Sequence, residues 1–141
     1  ILKLARDRAR EALERPAVPG RLLSQQQVFA ARSAVLDLHL APPLEEYIVQ
    51  LVLAMRDPAP YGAEIARYVA YGASPRGTIA LDRCARAHAW LAGRDYVTPE
   101  DVHAIAPDVL RHRVLLGYEA EAEGIDADRV VAMLLERVPL P

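Results

Sequence analysis

Pro42-Pro43-Leu44-Glu45-Glu46-Tyr47-Ile48-Val49-Gln50-Leu51-Val52-Leu53-Ala54-Met55-Arg56 sets Leu44, Tyr47, Ile48, Leu51, Val52 and Met55 three and four residues apart. That spacing lays a broad apolar face along one side of an α-helix. The proline pair opens the helix, because its fixed φ suits the first turn and the missing N–H would have had no partner there. The segment reads as a core helix. Spacings of three and four recur almost throughout the chain, with no sustained polar/apolar alternation, so the expected fold class is all-α, a small bundle of about six to seven helices.

Upstream, Ser24 and Gln27 form a capping box with Leu23 and Val28 as its hydrophobic staple, opening a helix that runs to about Leu38. Before it, Leu2, Ala5, Ala9, Ala12 and Leu13 give a weak stripe whose charged neighbours form a solvated face, and Pro16-Ala17-Val18-Pro19-Gly20 ends it. Residues 1–23 are thus expected to be a connector helix and linker, and 24–141 the main domain. Downstream, Asp57 to Gly62 is a breaker cluster, and Ala63 to Tyr71 is weakly helical and reads as a variable connection. Ser74 is placed to cap a fourth helix with Pro75 at its first position, and Gly93 to end it. Thr98-Pro99-Glu100-Asp101 repeats the start signal, stapled by Val97 and Val102, for a short helix to Ile105. Ala106-Pro107 then opens a sixth helix through about Leu116. Asp126 caps the last, with Val130, Val131, Leu134 and Leu135 facing inward until Pro139.

The 141 residues are 52% hydrophobic, enough for one buried core, and 17 Lys+Arg against 19 Asp+Glu give a net charge of −2. That balance disfavours a nucleic-acid partner, and no apolar stretch is long enough to span a bilayer. Every cation but Lys3 is an arginine, so a phosphate-cradling glycine loop ending in Lys-Ser or Lys-Thr is absent. A single cysteine, Cys84, allows no internal disulfide, and the cytoplasm is the expected compartment. The start at Ile1 rather than a methionine suggests a piece of a longer protein.

His39, His88, His103 and His112 sit at none of the short helical spacings that put two ligands on one metal, so no metal site is expected. Cys84 lies mid-helix near Ala80, Ala87 and Leu91, where a thiol packs as a small hydrophobe. Glu45-Glu46 and Glu119/Glu121/Glu123 read as surface carboxylates rather than an acid/base pair.

On the fourth helix, Ala80, Leu81, Cys84, Ala87, His88 and Leu91 share the side expected to face the core, His88 as a satisfied core histidine. The opposite side gathers Arg76, Ile79, Arg83, Arg86 and Trp90, an unusual mixture for a solvated face that reads either as an interface with the rest of a longer protein, a neighbouring subunit or an acidic peptide, or as an ordinary Asp82–Arg86 i,i+4 pair with Trp90 covering a neighbouring helix. Arg76 is the sharper feature. A cation in the first turn opposes the helix macrodipole, and Gly77 replaces the acidic or amide residue that completes the capping box at the other starts. A guanidinium beside free amides at a helix start is a receptor for phosphate.

Three pieces now fall in one order: Tyr47-Ile48-Val49-Gln50-Leu51-Val52, then Gly72-Ala73-Ser74-Pro75-Arg76, then Gly93-Arg94-Asp95-Tyr96-Val97-Thr98-Pro99-Glu100-Asp101-Val102. Together they resemble the C-terminal lid region of the MoxR family of AAA+ ATPases, and the resemblance extends through Ala106 to Arg113. It covers residues 24–116 best. The Ser-Pro-Arg element alone is weak and the combination specific. The resemblance implies a helical lid over an ATP and Mg²⁺ site, with Arg76 as the sensor-2 arginine on the terminal phosphate and Tyr47 as a further nucleotide-binding residue. It also implies an N-terminal AAA+ core as partner, assembly into a homo-hexameric ring and remodelling or activation of client proteins.

Two positions depart from that pattern, Met55 where threonine is expected and Gly77 where alanine is usual. The phosphate loop, the metal-binding acidic strand end and the arginine finger would lie in a preceding domain, so these residues alone should not hydrolyse ATP. The rivals are the lid of a magnesium-chelatase or replicative-helicase relative and a free-standing helical interaction module.

Overall fold

The computed structural model describes Leu2, Lys3, Arg6 and residues 22–141, and the chain divides into two compact units, 1–32 and 33–141. In the first unit, Leu2, Lys3 and Arg6 are helical and exposed; Ala5, Ala9, Ala12, Leu13 and the stop at 16–20 lie outside the described residues. Helix α1, Gln25–Asp37, buries none of its residues. Its capping box is present. The Gln27 amide donates to Ser24 Oγ at 3.2 Å and the Ser24 amide to Gln27 Oε1 at 2.7 Å. Leu23 and Val28 both stay exposed, so the expected staple does not bury them.

The second unit is built on α2, Pro42–Arg56, which buries Leu44, Tyr47, Ile48, Leu51, Val52, Ala54 and Met55. The six apolar residues expected on its face are all among them. Each such side chain contributes roughly 1.5–3 kcal/mol by leaving water. Around it follow a 3₁₀ turn at Ala59–Tyr61, α3 at Ala63–Tyr68, β1 at Val69–Tyr71, α4 at Arg76–Leu91 and α5 at Pro99–Leu110. A 3₁₀ turn at Arg111–Arg113, β2 at Leu115–Leu116, α6 at Tyr118–Ala122 and α7 at Ala127–Arg137 complete it. Among the described residues, with the seven helices α1 to α7 and one small two-stranded sheet, the fold is all-α.

Two boundaries differ from the sequence reading. Ala63 to Tyr71 is no variable connection: Ile65 and Tyr68 are fully buried, and Val69 and Tyr71 pair antiparallel with Leu116 and Leu115 across a bulge. Six helical residues are too few for the period to stand out, and the pairing partner lies far along the chain. Pro107 does not open a new helix but sits inside α5. The buried row Val102, Ala106, Val109 and Leu110 continues straight through it, and that burial outweighs the ~3 kcal/mol an interior proline costs. The expected sixth helix is replaced by a 3₁₀ turn and β2. At the last helix the Arg129 amide donates to Asp126 Oδ1 at 2.8 Å, and Val130, Val131 and Leu134 are buried with Leu135 partly so.

Candidate functional site

Helix α4 meets the core through Gly77, Leu81, Ala85 and Ala89, one residue in four along a single ridge. This ridge is turned by about 80° from the side expected to be core, at 100° per residue. Cys84 is exposed, Leu91 is exposed, and His88 keeps 45% of its side chain in solvent. The cause is size. Glycine and alanine let α4 approach α5 and α2 closely, with Gly77 within van der Waals reach of Val52 and Leu110, whereas counting hydrophobic residues favours the larger Cys84 and Leu91. The opposite face emerges largely as expected, with Arg76, Ile79, Arg83 and Trp90 exposed. Arg86 leaves that set: its Nε donates to Asp82 at 2.7 Å and its Nη1 to the Leu38 carbonyl.

At the C-terminal end, Gly93 adopts φ +75°, the Gly93 amide donates to the Trp90 carbonyl and the Arg94 amide to the Ala89 carbonyl. This is a Schellman stop. It delivers Arg94 to Asp101, which is only 1% exposed. Arg94 grips both carboxylate oxygens at 2.5 Å, the Thr98 amide donates to Oδ2 at 2.8 Å, and His88 Nδ1 donates to Oδ1 at 2.6 Å. Burial pushes the Asp101 carboxyl up, but the hydrogen bonds from Arg94, Thr98 and His88 outweigh it and hold it well below the usual carboxylate range. His88 is therefore satisfied, as expected, but at the surface edge of the helix rather than in the core. The sequence marked Asp101 as a cap and missed it as the hub; a Gly-Arg step directly before an acidic helix start was the available signal.

The N-terminal end is different. No side chain caps α4, no acid occupies its first turn, and Pro75 is already in the helical region. The expected Ser74 side-chain cap is absent because the chain closes as a tight turn: the Gly77 amide donates to the Ser74 carbonyl at 2.7 Å and the Thr78 amide to the Pro75 carbonyl at 3.1 Å. Those amides are occupied, so an anion here would be met chiefly by a side chain. Arg76 is exposed and, among the described residues, its guanidinium makes neither a hydrogen bond nor an ion pair. Tyr47, by contrast, is 3% exposed, and its hydroxyl lies 2.6 Å from His103 Nε2. It also lines a groove of about 390 Å³ with Pro43, Glu46, Gln50 and Tyr61. No hydrogen bond joins Tyr47 to Arg76.

An all-α bundle with one small two-stranded sheet has the architecture of an AAA-type lid. Residues 63–134 match the family model described as AAA lid domain, and the chain belongs to that family. Within it the chain is of the MoxR type. It is 43% identical over 99 residues to Chaperone MoxR1 of Mycobacterium tuberculosis, covering 70% of this chain and 26% of that protein. A crystal structure from Cytophaga hutchinsonii, described as a candidate ATPase, superposes with a TM-score of 0.80 at 43% identity, covering 84% of this chain and 36% of the other. The magnesium-chelatase subunit ChlI of Nicotiana tabacum is 56% identical, but over only 39 residues, 28% of this chain and 9% of that protein. The chain thus spans about a quarter to a third of the length of the MoxR-type proteins it matches.

Proposed function

We propose that residues 24–141 act as the lid of a MoxR-type AAA+ ATPase, with 1–23 as connector to an N-terminal AAA+ core that binds ATP and Mg²⁺. The carrying observation is Arg76, an exposed guanidinium without an internal partner among the described residues, in a helix turn whose dipole disfavours it. Closing over the core would place that charge on the terminal phosphate, where it stabilises the transferred phosphoryl group. Tyr47 would wall the nucleotide site by packing, since His103 already holds its hydroxyl. Mg²⁺ would be held by the core together with the nucleotide phosphates. The proposal includes a cytoplasmic homo-hexameric ring in which lid angle, reporting nucleotide state, drives remodelling of client proteins. The brevity of the chelatase match favours the MoxR-type reading over that rival.

In the full-length protein, Arg76→Ala should lower ATP turnover by about 10² to 10³, while Arg83→Ala, which removes the same charge from the same face, should leave the chemical step alone. Steady-state hydrolysis by the assembled protein measures both. Unchanged turnover in Arg76→Ala would refute the reading.

A further inference from the structure

We propose that Gly72 is a positioning residue for Arg76. Its bare Cα lets the chain rest on the backbone at the end of α2, and this seat fixes where the first turn of α4 stands. The inference rests on the reading of Arg76 as the phosphate contact.

A Cβ on Gly72 would lie 1.9 Å from the Met55 carbonyl oxygen, 2.3 Å from its carbon and 2.6 Å from the Arg56 nitrogen. These are helix backbone atoms, which cannot swing aside as a side-chain tip can, so any larger residue must lift the segment itself. From that seat the path to Arg76 has little slack. Ala73 is 1% exposed, Pro75 has a ring-fixed φ, and the Ser74 and Pro75 carbonyls are tied to the Gly77 and Thr78 amides. Gly77, on the far side of Arg76, is not a comparable seat: its Cβ would meet Ala73, Val52 and Leu110 at 3.4 to 3.7 Å, which is ordinary contact. The side chain that has to reach a phosphate is therefore held from behind by one close backbone approach. The seat also lies on α2, the core of the lid, so movement of the lid as a body would carry Arg76 with it.

The test uses the full-length protein, with ATP turnover and the ratio of ADP to ATP dissociation constants as readouts. Gly72→Ala should cut turnover by about tenfold to a hundredfold, the range produced by roughly ångström misplacement of a reacting contact, and should reduce the preference for ATP over ADP. Gly93→Ala is the control: Gly93 has φ +75° and open space around it, so alanine strains the opposite end of α4 and should leave both readouts within about twofold. In an Arg76→Ala background, Gly72→Ala should cause no further loss of ATP preference, because the group it positions is gone. Should Gly72→Ala fail to fold, Ala73→Gly loosens the same segment without a clash and should show the same dependence on Arg76. An equal loss of ATP preference with and without Arg76 would mean a structural role and overturn the proposal. Wild-type turnover and ATP preference in Arg76→Ala would instead overturn the phosphate reading beneath it.

Discussion

The starts of α4 and α5 use nearly the same residues, Ser74-Pro75 and Thr98-Pro99, and end in opposite states. At α5 the carboxylate of Asp101 closes the capping box, takes both arms of Arg94 and accepts from His88. At α4 no side chain caps the turn and Arg76 points outward without a partner among the described residues. One start directs its charge inward to join two helices. The other leaves its charge free. A helix start that satisfies itself contributes to stability, whereas a start that opposes its own dipole gains from something outside the domain.

Breaking the saturated start should have the largest effect. Asp101→Ala removes the buried acceptor of Arg94, His88 and the Thr98 amide while the Arg94 head keeps access to water, and should cost about 1.5 to 3 kcal/mol in denaturant unfolding. A loss under 1 kcal/mol would mean the cluster is ornamental. Acid should reach the same site more gently. The folded Asp101 pKa is depressed, so its stabilisation is complete above the unfolded value, about 3.9, and is lost as pH falls below that toward the folded value. The stability gap between wild type and Asp101→Asn, followed from pH 7 to 3, should therefore hold above pH about 4 and narrow beneath it. A gap that stayed constant would assign the acid response elsewhere.

The caps sharpen the contrast further. Thr98→Ala should cost about 1 kcal/mol, because its hydroxyl donates to Asp101 Oδ2 at 3.2 Å. Ser74→Ala should change thermal stability by less than about 0.5 kcal/mol, because its hydroxyl caps nothing. Equal losses would erase the distinction between the two starts. The smallest effect on stability is that of Arg76→Glu. It should raise the stability of the isolated domain by a few tenths of a kcal/mol through the dipole while abolishing turnover in the full protein. Destabilisation would show that Arg76 has an internal role.

The sequence made the helices legible wherever a broad stripe or a side-chain cap marks them: the α2 face, the Ser24, Thr98 and Asp126 starts and the Gly93 stop all stand where periodicity and capping put them. Arg76 was legible for the converse reason, as a local rule broken at one start and kept at others. What stayed hidden depended on contacts distant in sequence or on small residues. The β1 to β2 pairing joins segments that give no local signal. The Gly77, Ala85 and Ala89 ridge is invisible to hydrophobic weighting, which favours Cys84 and Leu91 although both are exposed. Pro107 looked like a boundary because a proline's local cost is fixed, while the burial that overrides it belongs to the assembled core. Gly72 showed only as part of a motif, since what it touches is the end of another helix.

The small sheet has a consequence for the order of assembly. Pairing Val69 and Tyr71 with Leu116 and Leu115 closes a loop that holds all of α4 and α5. Among the described elements those two helices share the most extensive packing and are joined by a short connection, so they can meet at small entropic cost before the ends are brought together. Contacts that close long loops form late, even though each doubling of loop length adds only about 0.6 kcal/mol. The α4–α5 hairpin is then expected to form first and the strand clip to engage last. By the same reasoning the clip is the first to release, and amides there should exchange with solvent by local opening while those of the hairpin wait for global unfolding.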